Sequence, residues 1–157
     1  MHDLDDQDIQ ILGLLQQDGR MTHAELAQRV GLAAPTVQRR VRLLEERGFI
    51  SGYTAILNPL LLDLTVTAFV FVESSAGCDL DTLGRFLAGL PGVQEVYHLF
   101  GEWCFLLKVR TASMQSLGQM VYQDLRKHPD VRRTQTTLSS SAAHETTQLP
   151  LKAPAAG

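Results

Sequence analysis

The sequence predicts an α+β fold in two parts, helices first and an alternation of strands and helices after them. Three observations predict it. Residues 4–47 carry three successive helix-start signals, each followed by apolar residues at helical spacing. Asn58-Pro59 then breaks the chain. From Val66 onward a strand–helix–strand pattern occurs twice, offset by 38 residues: Val66 answers to Cys104 and Pro91 to Pro129.

The first helix starts at Leu4-Asp5-x-x-Asp8-Ile9. Asp5 caps the free N–H groups, Asp8 suits the positive end of the helix dipole, and Leu4 can staple to Ile9. Ile9, Leu12 and Leu15 form the expected apolar stripe, and Asp18-Gly19 ends the helix with Gly19 in a left-handed conformation. The second helix opens on a capping box, Thr22 with Glu25, and a Met21–Leu26 staple, and stops at Val30-Gly31. The third begins within four residues, with Pro35 in its first turn. Val37, Val41 and Leu44 face inward, while Gln38, Arg39, Arg42 and Glu46 point away and Thr36 and Arg40 lie on the flanks. It ends at Arg47-Gly48.

A short helix, a glycine turn and a helix with an arginine-bearing outer face make a helix-turn-helix. Such a second helix enters the major groove, where Arg bridges guanine O6 and N7 and Gln bridges adenine N6 and N7. Gln38, Arg39, Arg42 and Thr36 are the expected groove contacts, and Arg40 and Thr22 the expected phosphate contacts. The charge pattern agrees. The 157-residue chain has 14 Lys+Arg against 17 Asp+Glu and a net charge of −3, yet residues 20–47 hold six arginines against three glutamates. A local basic stripe matters more for DNA than the whole-chain balance. Phe49–Thr54 alternates around Gly52 like the wing or exit strand of a winged variant.

In the second part, Val66–Val72 reads as a strand. Asp79–Leu90 reads as a helix with Leu83, Phe86, Leu87 and Leu90 inside, and Val93–Leu99 as a second strand. Cys104–Arg110 is a third strand. Ser113 caps a helix bearing Leu117, Met120, Val121 and Leu125, and Pro129-Asp130-Val131 opens a fourth strand toward Leu138. The order β-α-β-β-α-β is a ferredoxin-like unit, an antiparallel sheet with both helices on one face. Its open face calls for a partner subunit. The expected boundaries are 1–54 for the (winged) helix-turn-helix, 55–64 for a connector, 65–151 for the ferredoxin-like domain and 152–157 for a frayed tail. Residues 144–151 are a candidate edge strand.

Other classes find little support. No window approaches the roughly 18 uninterrupted apolar residues of a membrane span, and MHDLDDQD is no signal peptide, so a cytoplasmic protein is expected. There is no P-loop, no G-x-G-x-x-G and no nucleophile–base motif, so no enzyme is expected and no cofactor. His98 and Cys104 flank the Gly101 hairpin, but across a two-residue turn they point to opposite faces, so no metal site is expected. Cys104 reads as a buried inert thiol rather than a redox sensor, since no Lys, Arg or His lies close in sequence.

The whole pattern resembles the Lrp/AsnC family of transcriptional regulators over about residues 3–138. The resemblance is carried by Leu4-Asp5 with Asp8-Ile9, by Leu15-Gln16-x-Asp18-Gly19-Arg20 and by Glu25-Leu26-Ala27 with Val30-Gly31-Leu32. It continues through Arg40-Val41-x-x-Leu44-Glu45 and Gly48-Phe49-Ile50-x-Gly52-Tyr53 with Leu57-Asn58-Pro59. Gly101 and Thr134-x-Thr136 complete it. It implies a regulator of promoter DNA whose dimers assemble to tetramers or octamers, with an amino acid or related metabolite bound between subunits. It implies an effector site at Gly101, Glu102, Cys104, Thr134 and Thr136. Two positions depart from the family pattern. Cys104 stands where the family usually has an aspartate near the effector's ammonium, unless Glu102 substitutes. Ala33 stands where a capping serine is common. Trp103 reads as a subunit-contact aromatic or, second, as a wall of that pocket. A haem- or sirohaem-related enzyme subunit of the same layout, or an assembly subunit that does not bind DNA, are the alternatives.

Overall fold

A computed structural model of the chain describes residues 4–151; the expected frayed tail at 152–157 lies outside the described residues. Two compact units are present, residues 4–56 with 145–151, and residues 57–144.

The first unit is three helices: α1 (Asp6–Gln17), α2 (His23–Val30) and α3 (Ala34–Glu46). Asp5 caps α1, its side chain accepting the Asp8 N–H at 2.8 Å. Thr22 caps α2 in a capping box with Glu25. Gly31, at φ 74, takes the left-handed conformation that closes α2 and turns the chain toward α3. No side chain caps α3 at Ala33. The core is Ile11, Leu26, Ala27, Val37, Val41 and Leu44, with Met21, Phe49 and Ile50 packed against it.

Four sequence expectations change here. Of the expected α1 stripe, Leu12 and Leu15 pack against the core from its margin, but the residues at its centre are Ile11, fully buried, and Asp8, nearly so. A buried carboxylate interrupts the apolar count, and its partner is far away in sequence. Gly19 is not left-handed. Asp18 is extended instead, and its side chain accepts the Arg20 N–H at 2.9 Å, so a side chain makes the turn. Residues 50–58 form no strand, because this unit offers no second strand to pair with. Tyr53 is held by its hydroxyl, which donates to Glu45 at 3.0 Å; burial first, and then Glu45, push its pKa up to about 12. Residues 144–151 form no strand either. The 145–151 segment returns to α1, where Gln16 accepts the Leu149 N–H at 2.6 Å.

The second unit opens with a short 3-10 turn, Pro59–Leu62, started by the Asn58 side chain. Then come β1 (Val66–Ser74), α4 (Leu80–Ala88), β2 (Val93–His98), β3 (Phe105–Thr111), α5 (Met114–Gln119) and β4 (Val131–Ser139). A wide π-type turn, Met120–Leu125, extends α5. The strands run antiparallel in the order β2-β3-β1-β4. Ala68, Val70 and Val72 of β1 and Phe105, Leu107 and Val109 of β3 form one fully buried face. Leu83, Leu87, Leu117, Val121 and Leu125 close over it from the helical side. Gly84 lets α4 approach the sheet, since a Cβ there would lie 3.1 Å from His98 Nε2 and 3.3 Å from Phe105. The opposite face carries Phe69, Phe71, Leu106 and Lys108, all half-buried.

Candidate functional site

The outer face of α3 follows from its inner one. With Val37, Val41 and Leu44 buried, Gln38, Arg39 and Arg42 are exposed and Thr36 is half-buried near the helix start. Arg39 makes no ion pair among the described residues. Arg42 pairs with Glu46 one turn on, at 2.7 Å. Both partners are exposed, so the pair contributes little and a DNA contact can replace it. Thr22 lies at the N-terminus of α2, its hydroxyl donating to Glu25 at 2.7 Å.

Arg40 is placed differently from its neighbours. Its Nη1 donates to Asp5 and to Asp8, both at 2.7 Å, and its Nη2 to Gln7 at 2.9 Å. Its hydrogen bonds to the carboxylates of Asp8 and then Asp5 raise its pKa. The expected phosphate contact therefore has its guanidinium turned toward α1. Sequence reasoning put Arg40 on the flank of the helix but missed its three partners. The signal was the acidic start of α1, which a cap explained without them.

The five expected effector residues occupy two places in the second unit. Gly101, Glu102 and Cys104 sit in the loop joining β2 to β3, which spans 99–104 and is longer than a two-residue turn. Thr134 and Thr136 sit on β4, opposite Val72 and Val70. They share the side of those buried valines, whereas Arg133 and Gln135 share the open side with Glu73 and Phe71. Cys104 donates its N–H to the Val72 carbonyl at 2.9 Å. Strand β1 lies between β3, which the loop leads into, and β4. The five residues are thus divided between a loop and a strand two places along the sheet.

Glu102 is already engaged. Its carboxylate accepts from Arg133 Nη2 at 2.6 Å, and the same guanidinium lies 4.4 Å above the Trp103 ring. Trp103 in turn packs on Phe71 at 5.8 Å. A bulge between Glu73 and Ser74 leaves Arg132 as an extra residue, and both Arg132 and Arg133 reach Glu73, at 2.6 and 2.9 Å. This arginine pair was missed because the bulge that aims it has no sequence mark. Cys104 Sγ lies 3.1 Å from Ser74 Oγ. His98 sits edge-on to Phe105, centroids 4.4 Å apart. A separate open concavity of about 340 Å³, lined by residues including Pro91, Gly92, Thr111, Ser116 and Asp124, contains none of the five.

The family models agree with this division. Residues 4–51 match a winged helix-turn-helix DNA-binding domain, and residues 67–149 match the Lrp/AsnC ligand binding domain. The chain belongs to the Lrp/AsnC family. It is a DNA-binding transcriptional regulator with a ligand binding domain, and its family is not one of enzymes. The leucine-responsive regulatory protein of Salmonella typhimurium is 37% identical over 153 residues, covering 96% of this chain and 93% of that protein. The Escherichia coli protein of that name is 36% identical with the same coverage. A Neisseria meningitidis transcriptional regulator, solved as an L-Met complex, superposes with a TM-score of 0.91 at 32% identity over 96% of this chain and 98% of that one. The Mycobacterium tuberculosis leucine response regulatory protein gives a TM-score of 0.79 at 34% identity, covering 93% and 99%. Among the described residues no helix is long and apolar enough to cross a membrane.

Proposed function

We propose that this regulator reads double-stranded promoter DNA with the outer face of α3. Gln38, Arg39 and Arg42 meet base edges, Thr36 meets a thymine methyl or a phosphate, and Thr22 positions the backbone at the start of α2. The observation that carries this is the exposure of Gln38, Arg39 and Arg42 together, opposite the buried Val37, Val41 and Leu44. A gel shift with the region upstream of its own coding sequence tests it; no shift at any concentration would refute it.

The same reading places the protein in the cytoplasm, where the DNA is, as a homodimer that assembles to a tetramer or octamer. Two features support assembly. The sheet face away from α4 and α5 carries half-buried Phe69, Phe71 and Leu106, and the five effector residues are divided between the 99–104 loop and β4. The effector is an amino acid or a related metabolite, as the Neisseria L-Met complex suggests by kinship. A bound effector acts by preferring one assembly state. A thermal-shift screen against the twenty amino acids and related metabolites tests for it, and a ligand-bound crystal tests the site. Ligand found only in the concavity beside Gly92 would overturn the assignment of Gly101, Glu102, Cys104, Thr134 and Thr136.

A further inference from the structure

Asp8 occupies a core position of α1, one turn before Ile11, where a helix of this pattern would place an apolar residue. A carboxylate there is costly unless it is paired. Its pairing comes from Arg40, 32 residues away. The Arg40 side chain is only 22% exposed and that of Asp8 12%. The same guanidinium nitrogen bridges Asp5, the cap of α1, and Nη2 reaches Gln7. Arg40 Nε is buried with no hydrogen-bond partner, a cost that the bonds of Nη1 and Nη2 must offset to keep the group inward.

We infer that Arg40 is a positioning residue for DNA recognition: it locks α3 to the first turn of α1 and so fixes the face that carries Gln38, Arg39 and Arg42. The inference rests on the DNA-binding reading above. A phosphate at Arg40 would face two carboxylates, each 2.7 Å from the same nitrogen. One positive charge between two negative ones repels an anion. An apolar residue pair would fill the space at least as stably, whereas the three-way bridge also fixes rotation and register, because a guanidinium fork has set directions.

The test compares full-length Arg40→Lys, Asp8→Asn and Arg39→Gln with the wild type. The probe is a fluorescent duplex from the region upstream of the coding sequence, with a shuffled duplex as competitor, between 50 and 200 mM KCl. Lysine keeps the charge, but its donors share one nitrogen and lack the planar fork that places Nη1 and Nη2 on separate partners, so Arg40→Lys binds about tenfold more weakly, the loss of one charged hydrogen bond expressed as affinity. Discrimination against the shuffled duplex falls, and the salt slope stays that of the wild type. Asp8→Asn weakens binding too, although it removes a negative charge. Arg39→Gln, which removes a base-edge contact, lowers affinity for the upstream duplex and its discrimination against the shuffled one, with no change in exchange at α1. Arg40→Lys binding like the wild type, or Asp8→Asn binding more tightly, overturns the inference, since both are what a phosphate contact would give. Hydrogen exchange is read on the same variants. Faster exchange in the first turn of α1, with α2 still protected, supports the brace in a folded protein, and unchanged exchange overturns it. Should the wild type bind no duplex, the DNA reading fails and exchange alone decides whether the brace exists.

Discussion

Serine in place of Ala33 is expected to stabilise the helical unit, by an amount the local geometry sets. Ala33 already has the extended backbone of a cap, φ −73 and ψ 142, close to the −72 and 157 of Thr22. It is exposed, so a hydroxyl meets no obstacle. Removing a good cap costs about 0.5–2 kcal/mol. The gain here lies in the lower half of that range. Pro35 has no N–H to offer, and the Thr36 N–H already reaches the Ala33 carbonyl at 2.9 Å. We expect about 0.5–1 kcal/mol, which for a unit of this size raises Tm by about 2–8 °C. Far-UV circular dichroism of the full chain measures it. Thr22→Ala is the control of opposite sign, since it dismantles the box with Glu25. An Ala33→Ser transition at or below that of the wild type, with Thr22→Ala lowered as expected, would refute the reasoning.

Three further outcomes follow from the structure. Gly92 sits at φ 80, and a Cβ there would lie 2.6 Å from the Arg110 carbonyl, so Gly92→Ala should cost at least about 2 kcal/mol in urea unfolding. Phe105→Ala, which empties a fully buried site beneath α4, should cost about 3–5 kcal/mol in the same assay. Burial opposes ionisation of Asp5, but the N–H of Asp8 and the guanidinium of Arg40 outweigh it and hold its pKa below the usual carboxylate range. A lowered native pKa gives stability that is present above the unfolded value and lost as pH falls through the folded one. The stability penalty of Asp5→Asn should therefore be full at pH 6 and fade below about pH 4; a penalty that does not change with pH would contradict this.

The sequence was most legible where structure is local. Asp5, Thr22 and Ser113 each cap a helix through a hydrogen bond to a residue three places on, so neighbours alone revealed them. The 38-residue repeat likewise showed the succession of strands and helices along the second unit. Long-range pairings were hidden. Asp8 reads as a dipole residue until Arg40 is seen beside it. Ile11 was overlooked as the centre of α1 because the polar Asp8 breaks the apolar line. Gly19 had the right residue for a left-handed turn, but the Asp18 side chain makes that turn instead. In the second unit, strand register decides which side Thr134 and Thr136 take. A bulge decides where Arg133 points, and Arg133 decides that Glu102 is already paired. None of these is written in residue order.

The central proposal is that the outer face of α3 reads DNA. Binding of the upstream duplex by the Arg39→Ala/Arg42→Ala double variant tests it most directly. Two lost base-edge contacts at about 1–3 kcal/mol each predict binding at least about thirtyfold weaker than the wild type, with the fold and Tm of the helical unit kept. A double variant that binds the duplex with wild-type affinity would contradict the claim.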